Sequence, residues 1–456
     1  MIKNILLILL VTLGIKAIAQ LHAGPMLGHV THTTASVWVA NKPNQNSMLY
    51  YWPRDRAQLA KPISNITNNN YTFSTQQFEI PGLQPATTYD YQVIPAKPNA
   101  PKTKTVTGSF TTLPNWAYRT AVPNVTFITG SCAYINDTAT DRVYTDMTKL
   151  NKLGTPYGGN LAIFETMANT PANAMLWLGD NWYTREVDYS SAYGLNYRPY
   201  KERATPQLQN LLKAMPNYAI WDDHDFGPND VNKSYIYCNE SREAFKRFWA
   251  NPSYGDGTKG IYTKLTIGDI DFFMLDDRTW RSADNMRDSL NGQPNTNKKM
   301  LGDQQIEWLE NALLQSNANF KIIVTGSQTL NPVSPYDCWQ AFPAEFARFN
   351  QFITEEKIRG LLFLTGDRHH TEVIKLPREN TYPLYDITVS PLTSATHKFS
   401  GAEKNNPYRV VGVDEKQNFG KATVTGPLNN RKLTIEFIGI TGEKLGEFSV
   451  LSSELR

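Results

Sequence analysis

The sequence lacks two features that would place it among disulfide-stapled or membrane-spanning proteins. It has only three cysteines, Cys132, Cys238 and Cys338, in 456 residues, which is too few for a disulfide scaffold. After residue 20 no apolar run approaches the roughly 20 residues that a membrane helix needs. A chain of this length more often forms two domains than one. We therefore expect a soluble protein of two domains, each with its own hydrophobic core.

The sequence also lacks an excess of either charge. Its 45 basic and 42 acidic side chains leave a formal net charge of +3, and the basic residues are scattered rather than clustered. A dedicated nucleic-acid binder would carry a strongly basic surface. The composition therefore argues against dedicated nucleic-acid binding.

The first twenty residues have the order of a secretory signal peptide. A basic residue precedes an apolar run over residues 5–15, and the small residues Ala17 and Ala19 follow. This order predicts a signal peptide over residues 1–19 and export to the periplasm or the cell exterior. A membrane anchor is the alternative, but Lys16 ends the apolar run well short of a spanning helix.

Residues 20–115 are rich in short β segments, such as 36–40 and 89–93, separated by Pro, Asn and Gly turns. This alternation predicts a small all-β sandwich. Leu83 and Tyr89 belong to a stretch that resembles the penultimate-strand region of fibronectin type III-like domains. There the two side chains would pack the corner between the sheets, which indicates a fold and not a function.

The pattern changes after a polar linker, and residues 122–456 alternate between apolar runs and helical stretches. Six runs end in polar or Gly-containing clusters, which indicates parallel strands joined by crossover helices. One helix is expected to begin at Asp303 as its cap, before Ile306 and Leu309 at helical spacing. Residues 432–450 are typical of a closing hairpin. The six runs are residues 125–129, 174–178, 218–221, 270–275, 320–324 and 361–364.

The clusters that follow these six runs carry candidate chemistry. The carboxyl ends of parallel strands meet at one edge of a sheet, so clusters far apart in sequence are expected to converge. Together they offer carboxylates, imidazoles, a phenol and a thiol, which is more than an acid–base pair requires. The clusters are Gly130-Ser131-Cys132, Gly179-Asp180-Asn181-Trp182-Tyr183, Asp222-Asp223-His224-Asp225, Asp276-Asp277-Arg278, Gly326-Ser327-Gln328 and Gly366-Asp367-Arg368-His369-His370.

Metal binding accounts for this donor set. A carboxylate such as Asp180 can bridge two cations, which together polarise a phosphoryl group and lower the pKa of a bound water. Phosphoester hydrolysis needs that help, because its transition state spreads negative charge over the phosphoryl oxygens. Taken singly, Asp223 would be an ordinary cap residue, Tyr183 a packing aromatic and His369 a surface histidine. Their expected convergence favours the metal site.

Five spaced motifs resemble the alkaline phosphatase D (PhoD-type) family, and the match runs over most of the chain. The resemblance implies an N-terminal β-sandwich followed by a calcineurin-like metallophosphoesterase domain, itself an α/β sandwich. It also implies a site similar to that of purple acid phosphatases, with ferric iron and calcium. The motifs are Gly130-Ser131-Cys132, Gly179-Asp180-Asn181-Trp182-Tyr183, Trp221-Asp222-Asp223-His224-Asp225, Leu301-Gly302-Asp303-Gln304-Gln305-Ile306-Glu307-Trp308-Leu309 and Thr365-Gly366-Asp367-Arg368-His369.

The resemblance assigns the iron ligands residue by residue. Asp180 would bridge the metals. Tyr183 would give a phenolate and Cys132 a thiolate to ferric iron.

The resemblance likewise assigns the rest of the site. Asp223 would bind the second metal, and Asp367 and His369 would supply one ligand to each metal. His224 stands where the superfamily keeps a histidine that binds phosphate or protonates the leaving group. Arg278 is a candidate phosphate contact, with a plain salt bridge to a neighbouring Asp as the alternative.

The chain departs from the superfamily pattern after Val324, where Gly326-Ser327-Gln328 replaces the usual histidine. An oxygen-rich second site favours calcium or magnesium over zinc, with manganese and zinc kept as alternatives.

The two other cysteines, Cys238 and Cys338, lie in segments that read as polar or aromatic loops. In an oxidising compartment these two are expected to pair, whereas iron would protect Cys132 from exchange. The alternative is that all three are buried thiols.

The sequence thus predicts an exported, monomeric phosphomonoesterase or phosphodiesterase that hydrolyses phosphate esters with a metal-activated water. One alternative is a purple-acid-type phosphomonoesterase with iron or zinc. The other is a surface-binding module whose second domain is an inactive scaffold. The intact donor set argues against the scaffold, which would have no need of it.

Overall fold

The computed structural model describes residues 21–57, 60–63, 67–68, 73–96, 105–136, 158–257, 259–334, 336 and 338–456. The predicted signal peptide, residues 1–19, lies outside these ranges. Within them, no helix combines the length and apolar character needed to cross a membrane.

The described residues form 23 β-strands and seven α-helices. The strands are β1 (Leu21–Val30), β2 (Ala35–Asn41), β3 (Ser47–Pro53), β4 (Lys61–Ile63), β5 (Thr67–Asn68), β6 (Thr75–Ile80), β7 (Thr88–Pro95), β8 (Val106–Thr111), β9 (Val125–Gly130), β10 (Ala174–Leu178), β11 (Asn217–Ile220), β12 (Thr263–Ile267), β13 (Ile270–Met274), β14 (Ser289–Leu290), β15 (Gln293–Pro294), β16 (Phe320–Val324), β17 (Leu361–Thr365), β18 (Thr371–Leu376), β19 (Leu384–Thr388), β20 (Arg409–Val413), β21 (Asn418–Thr425), β22 (Lys432–Gly439) and β23 (Lys444–Leu451). The helices are α1 (Ala162–Ala168), α2 (Ala192–Glu202), α3 (Pro206–Ala214), α4 (Asp223–Phe226), α5 (Cys238–Phe248), α6 (Asp303–Gln315) and α7 (Pro343–Glu355).

The first eight strands form two four-stranded sheets, in the orders β1-β2-β6-β5 and β4-β3-β7-β8. Their inward side chains make a core of their own, to which Leu83 and Tyr89 belong. The hydroxyl of Tyr89 accepts a hydrogen bond of 2.9 Å from the backbone N–H of Gln84. Both expected strands and the burial of Leu83 and Tyr89 are therefore present, while the boundary at residue 115 stays a prediction.

The described residues after β8 build two larger mixed sheets that pack face to face, and a separate pair of short strands, β14 and β15. One has the order β11-β10-β9-β21-β22-β23 and the other β12-β13-β16-β17-β19-β18-β20. Strands β9, β10 and β11 run parallel in the first sheet, and β13, β16 and β17 run parallel in the second. All six predicted runs are strands, and the mixed sheets with their helices fit an α/β sandwich.

The core between the two large sheets explains why these strands are continuous apolar runs. Every residue of β10, β11, β13, β16 and β17 is buried, as expected of strands covered on both faces. Phe127 of β9 meets Phe272 of β13 edge to face, with ring centroids 5.1 Å apart. This packing fixes the two sheets against each other and so fixes the edge at which their loops meet.

Helix α6 occurs where the sequence predicts it, but its cap differs. Ile306, Leu309 and Leu313 are buried along one face. The cap is Gly302, whose φ of +78° suits a residue without a Cβ. Asp303 is the first helical residue instead, and the carboxylate of Glu345 accepts the backbone N–H of Gly302 at 2.8 Å.

The N-terminal sandwich is fixed to the rest of the described structure by direct hydrogen bonds. The indole N–H of Trp38 donates to the backbone oxygen of Arg247 at 2.8 Å. The backbone N–H of His29 donates to Ala250 at 3.1 Å. The side-chain amide of Asn217, the first residue of β11, donates to the backbone oxygen of Leu27 at 3.2 Å. The sandwich therefore supports β11, the strand that leads into Asp222 and Asp223.

The predicted pairing of Cys238 with Cys338 is wrong, because all three cysteines are free thiols. Cys238 is the first residue of helix α5 and not part of a loop. Cys338 is buried, and its Sγ donates to the backbone oxygen of Thr329 at 3.0 Å. The two thiols belong to different elements with their own local contacts, which the sequence alone does not reveal.

Candidate metal centre

The loops that follow β9, β10, β11, β13, β16 and β17 meet at one edge of the two sheets. Cys132 Sγ lies 3.6 Å from an oxygen of Asp180 and 3.6 Å from the backbone oxygen of Asp367. On the other side, Arg278 Nε donates to Asp222 at 2.5 Å, and Ser327 Oγ donates to the same oxygen at 3.4 Å. The expected convergence of the six clusters is therefore confirmed.

One group of donors combines sulfur, oxygen and nitrogen. Ligand atoms of Cys132, Asp180 and His369 all lie within 4.8 Å of one another. The hydroxyl of Tyr183 donates to Asp180 Oδ2 at 2.9 Å and lies 3.3 Å from His369 Nε2. Cys132 and Asp180 are almost fully buried. The four side chains thus surround one small volume.

A second group is made mostly of carboxylates. Ligand atoms of Asp180, Asp223 and His224 lie within 4.8 Å of one another, as do those of Asp222, Asp223 and Asp367. Asp223 Oδ2 accepts the backbone N–H of Asp230 at 2.8 Å. Because Asp180 belongs to both groups, the two groups share a side chain.

The backbone of this site is held in an unusual conformation. Four of the predicted ligands have positive φ angles: Cys132 at +58°, Asp180 at +51°, Asp367 at +68° and His369 at +55°. Non-glycine residues adopt this region at a cost of about 1–2 kcal/mol each. Such outliers cluster where surrounding contacts force a side chain into a functional position.

Glycines let the loops approach closely. A Cβ on Gly326 would lie 2.7 Å from Cγ of Asp222, and a Cβ on Gly366 would lie 2.6 Å from the backbone oxygen of Leu178. Both distances are too short for a real side chain. The glycines at these strand ends are therefore required by the close contact between loops of the two sheets.

Arg278 lies behind the carboxylate group. Its side chain is fully buried, forms an ion pair with Asp222 and lies 3.7 Å from an oxygen of Asp223. It also donates to Ser327 Oγ at 3.1 Å. These contacts are those of the salt-bridge alternative. Asp222, which the sequence analysis did not select, has a buried oxygen, Oδ2, with no hydrogen-bond partner among the described residues.

His224 belongs to the carboxylate group and also contacts the first group. Its ring stacks on Tyr183 with centroids 4.1 Å apart. Its backbone N–H donates to Asp180 Oδ1 at 3.3 Å, and its backbone oxygen accepts the hydroxyl of Thr184 at 2.9 Å. About a fifth of the side chain is exposed, 21%. His224 is therefore fixed through its backbone while its side chain stays partly exposed.

The buried carboxylates and thiol of the site favour the binding of cations. Burial, followed by the charges of Asp223, Asp225 and Asp367, raises the pKa of Asp180 well above its ordinary value. Burial likewise raises the pKa of the Cys132 thiol. Several carboxylates cannot all stay ionised in such a place without positive charge beside them. A cation among them would restore the ionised forms.

His369 is prepared to act as a neutral ligand. Burial, followed by the charges of His397 and His224, lowers its pKa to about 3. Its Nδ1 is buried without a hydrogen-bond partner among the described residues. Neutral imidazole is the form that binds metals.

The sequence analysis missed the loop after β19. The hydroxyl of Ser390 donates to Cys132 Sγ at 3.1 Å, and the backbone N–H of Leu392 donates to Ser131 at 2.8 Å. Strand β19 pairs in parallel with β17, so its carboxyl end lies at the same edge. Leu384, Tyr385 and Ile387 give residues 384–388 a short strand pattern, but only the sheet order places the loop after it at this edge.

The two donor groups fit different metals. Thiolate, phenolate and imidazole together suit a transition metal such as iron. A group of carboxylate oxygens suits a hard cation such as calcium or magnesium. The residues present therefore fit the two-metal site that the family resemblance implies.

A third buried group, His370, Glu372 and Glu403, also satisfies the spacing for a metal. Here arginines already balance the carboxylates. Arg409 lies 2.7 Å from Glu372, and Arg368 lies 2.6 Å from Glu403. This group is a salt-bridge network beside the site.

Comparison with known proteins identifies the class to which this fold and site belong. The model of the PhoD-like phosphatase family matches residues 144–430, which is more than half of the chain. The chain therefore belongs to the PhoD-like phosphatase family.

The sequence of an individual relative agrees with this assignment. Alkaline phosphatase D of Bacillus subtilis (strain 168) is 25% identical over 335 residues, which cover 64% of this chain and 52% of that protein. The match thus spans about half the length of that relative.

Solved structures are similar in fold. A structure of PhoD superposes with a TM-score of 0.72 at 17% identity, covering 96% of this chain and 92% of that one. The purple acid phosphatase PPD1 from yellow lupin (Lupinus luteus) seeds superposes with a TM-score of 0.63 at 12% identity, covering 93% and 73%. At these identities the likeness concerns the fold alone.

Replacing the shared carboxylate tests the metal centre. We expect Asp180→Asn to lower the metal content of the purified protein by about tenfold or more, because a neutral amide binds cations poorly and cannot bridge two of them. Elemental analysis measures this, with circular dichroism as a check on folding. Asp303→Asn, at an exposed carboxylate of helix α6, is the matched control and should keep its metals. A folded Asp180→Asn protein with unchanged metal content would contradict the assignment.

Proposed function

We propose that this chain is an exported phosphoester hydrolase of the PhoD type, a phosphatase or phosphodiesterase that uses ferric iron and calcium. The observation that carries the proposal is the pair of donor groups that share Asp180. One group offers sulfur, phenol and imidazole, and the other is mainly carboxylate. A phosphoester bond is a substrate for which two adjacent cations of this kind are useful.

Each proposed cation has a defined set of residues. Cys132, Asp180, Tyr183 and His369 would hold iron. Asp180 would be shared with calcium, which Asp223, Asp367 and the buried oxygen of Asp222 would also bind. Once bound, the cations would supply positive charge for the phosphoryl oxygens and lower the pKa of a water.

The remaining side chains act on the substrate or on the ligands. His224 is proposed to bind a phosphoryl oxygen or to protonate the leaving-group oxygen, since its ring stacks on Tyr183 and stays partly exposed. Arg278 is proposed to act indirectly, because its buried guanidinium holds Asp222 and Asp223 in place.

Export is part of the proposal and rests on the sequence pattern of residues 1–19. The signal peptide would direct the protein to the periplasm or the exterior. We further propose that the N-terminal sandwich is fibronectin type III-like and that the protein acts as a monomer.

Metal analysis combined with two substrates tests the function. We expect about one iron and at least one calcium per chain, and hydrolysis of p-nitrophenyl phosphate or bis-p-nitrophenyl phosphate that is lost on chelation. A purple-acid-type enzyme would instead contain iron or zinc without calcium. A metal-loaded, folded protein that hydrolyses neither ester would refute the proposed activity and support the surface-binding alternative.

The role of His224 is separable from metal binding. We expect His224→Ala to lower kcat by about 10²-fold while iron and calcium stay bound, as for a general acid or phosphate contact. Steady-state kinetics and elemental analysis of the same preparation measure both. Departure of the metals together with the imidazole would mean that His224 is a ligand.

The thiol ligand should have a spectroscopic signature. Thiolate and phenolate on ferric iron each give a charge-transfer absorption, so the holoenzyme should be coloured. We expect Cys132→Ser to shift or abolish this band and to weaken iron retention. Cys238→Ser, at a thiol on helix α5, is the matched control and should leave the spectrum unchanged. A disulfide from Cys132 to another cysteine, detected by mass spectrometry without reductant, would exclude the ligand role.

A further inference from the structure

A second solvent-accessible imidazole beside the site is not explained by metal binding. His397 lies on the loop that follows β19, outside every motif used above. Its ring stacks on the ring of His369, with centroids 4.6 Å apart and an interplanar angle of 29°. Unlike His369, His397 is exposed.

His397 completes a row of four rings whose two end members are accessible to solvent. The ring of His224 stacks on Tyr183, whose hydroxyl lies 3.3 Å from His369 Nε2, and the ring of His397 stacks on His369. The partly exposed imidazole of His224 and the exposed imidazole of His397 therefore stand at the two ends of this row, with the proposed ligands Tyr183 and His369 between them.

The backbone at His397 is fixed on both sides. Its N–H donates to the backbone oxygen of His369 at 2.8 Å, and its own oxygen accepts the N–H of Glu415 at 3.2 Å. Earlier in the same loop, the N–H groups of Thr393 and Ser394 both donate to the backbone oxygen of Cys132, at 3.2 and 3.1 Å. The backbone that carries the exposed imidazole of His397 is thus fixed against the backbone of the proposed iron ligands Cys132 and His369.

We propose that His397 is a substrate-binding residue whose imidazole donates a hydrogen bond to a non-bridging oxygen of the substrate's phosphoryl group. The proposal rests on the proposed phosphoesterase function and adds a contact to it. A neutral imidazole offers one N–H donor, and a hydrogen bond to an anionic oxygen is among the stronger kinds. A fixed backbone lowers the entropy lost when the contact forms.

The competing explanation is that His397 only packs on His369 and keeps that ligand in position. Two variants separate the explanations. His397→Phe keeps a flat ring on His369 but removes the donor, whereas His397→Gln keeps a donor but removes the aromatic ring. His32→Ala, at an exposed histidine of the turn between β1 and β2, is the control for loss of a histidine elsewhere.

The test measures KM for p-nitrophenyl phosphate or its diester, the Kd of inorganic phosphate by calorimetry, and iron content, all on metal-loaded protein. We expect KM and the phosphate Kd to rise about tenfold in His397→Phe, with iron content unchanged. His397→Gln should stay within about threefold of the unmodified protein, because it retains a donor. His32→Ala should not differ from it.

Two results would overturn the proposal. One is unchanged phosphate affinity in His397→Phe, which would leave no role for the donor. The other is loss of iron in His397→Gln with retention in His397→Phe, which would assign His397 to packing. If the unmodified protein hydrolyses neither ester, the proposed function fails, and the phosphate Kd still decides whether His397 contacts the anion.

Discussion

Buried negative charge at the shared edge of two sheets is the constraint on which the rest of this structure depends. Asp180, Asp222 and Asp223 are nearly inaccessible to solvent and lie close to Asp367 and Cys132. Removing each charge from water costs several kcal/mol unless an opposite charge compensates it. Arg278 compensates part of this charge through Asp222. The remainder is the physical reason to expect cations.

The architecture serves to keep these side chains together. The parallel strands of both sheets end at the same edge, and glycines at Gly326 and Gly366 let the loops touch. The N-terminal sandwich also holds strand β11, because Val30 donates its backbone N–H to the hydroxyl of Tyr218 on β11 at 3.3 Å. Strand β11 is thereby held between the sandwich and the sheet. A substitution at the interface between the sandwich and β11 can therefore shift Asp222 and Asp223 without altering a residue of the site.

The sequence predicted the strands and the convergence of their loops because both follow from local pattern. A buried strand needs an apolar run, and a polar cluster at its end must lie at the sheet edge. The sequence analysis did not place Ser390 at the site, because that requires knowing that β19 lies beside β17 in the sheet. It did not place His397 there for the same reason, since His397 lies on the same loop.

Other features depended on where single side chains point. The burial of Arg278 against Asp222 and the separate environments of Cys238 and Cys338 are set by tertiary contacts. The cap of helix α6 is Gly302 rather than Asp303 because the carboxylate of Glu345, far along the chain, binds the N–H groups before the helix. No local pattern contains that information.

The most direct test of the account is anomalous diffraction from crystals of the metal-loaded protein, recorded on both sides of the iron absorption edge. The account predicts one iron peak bonded to Cys132, Asp180, Tyr183 and His369, and a second cation without an iron signal bonded to Asp180, Asp223 and Asp367. Iron in the group of His370, Glu372 and Glu403, or no cation among the carboxylates, would contradict it.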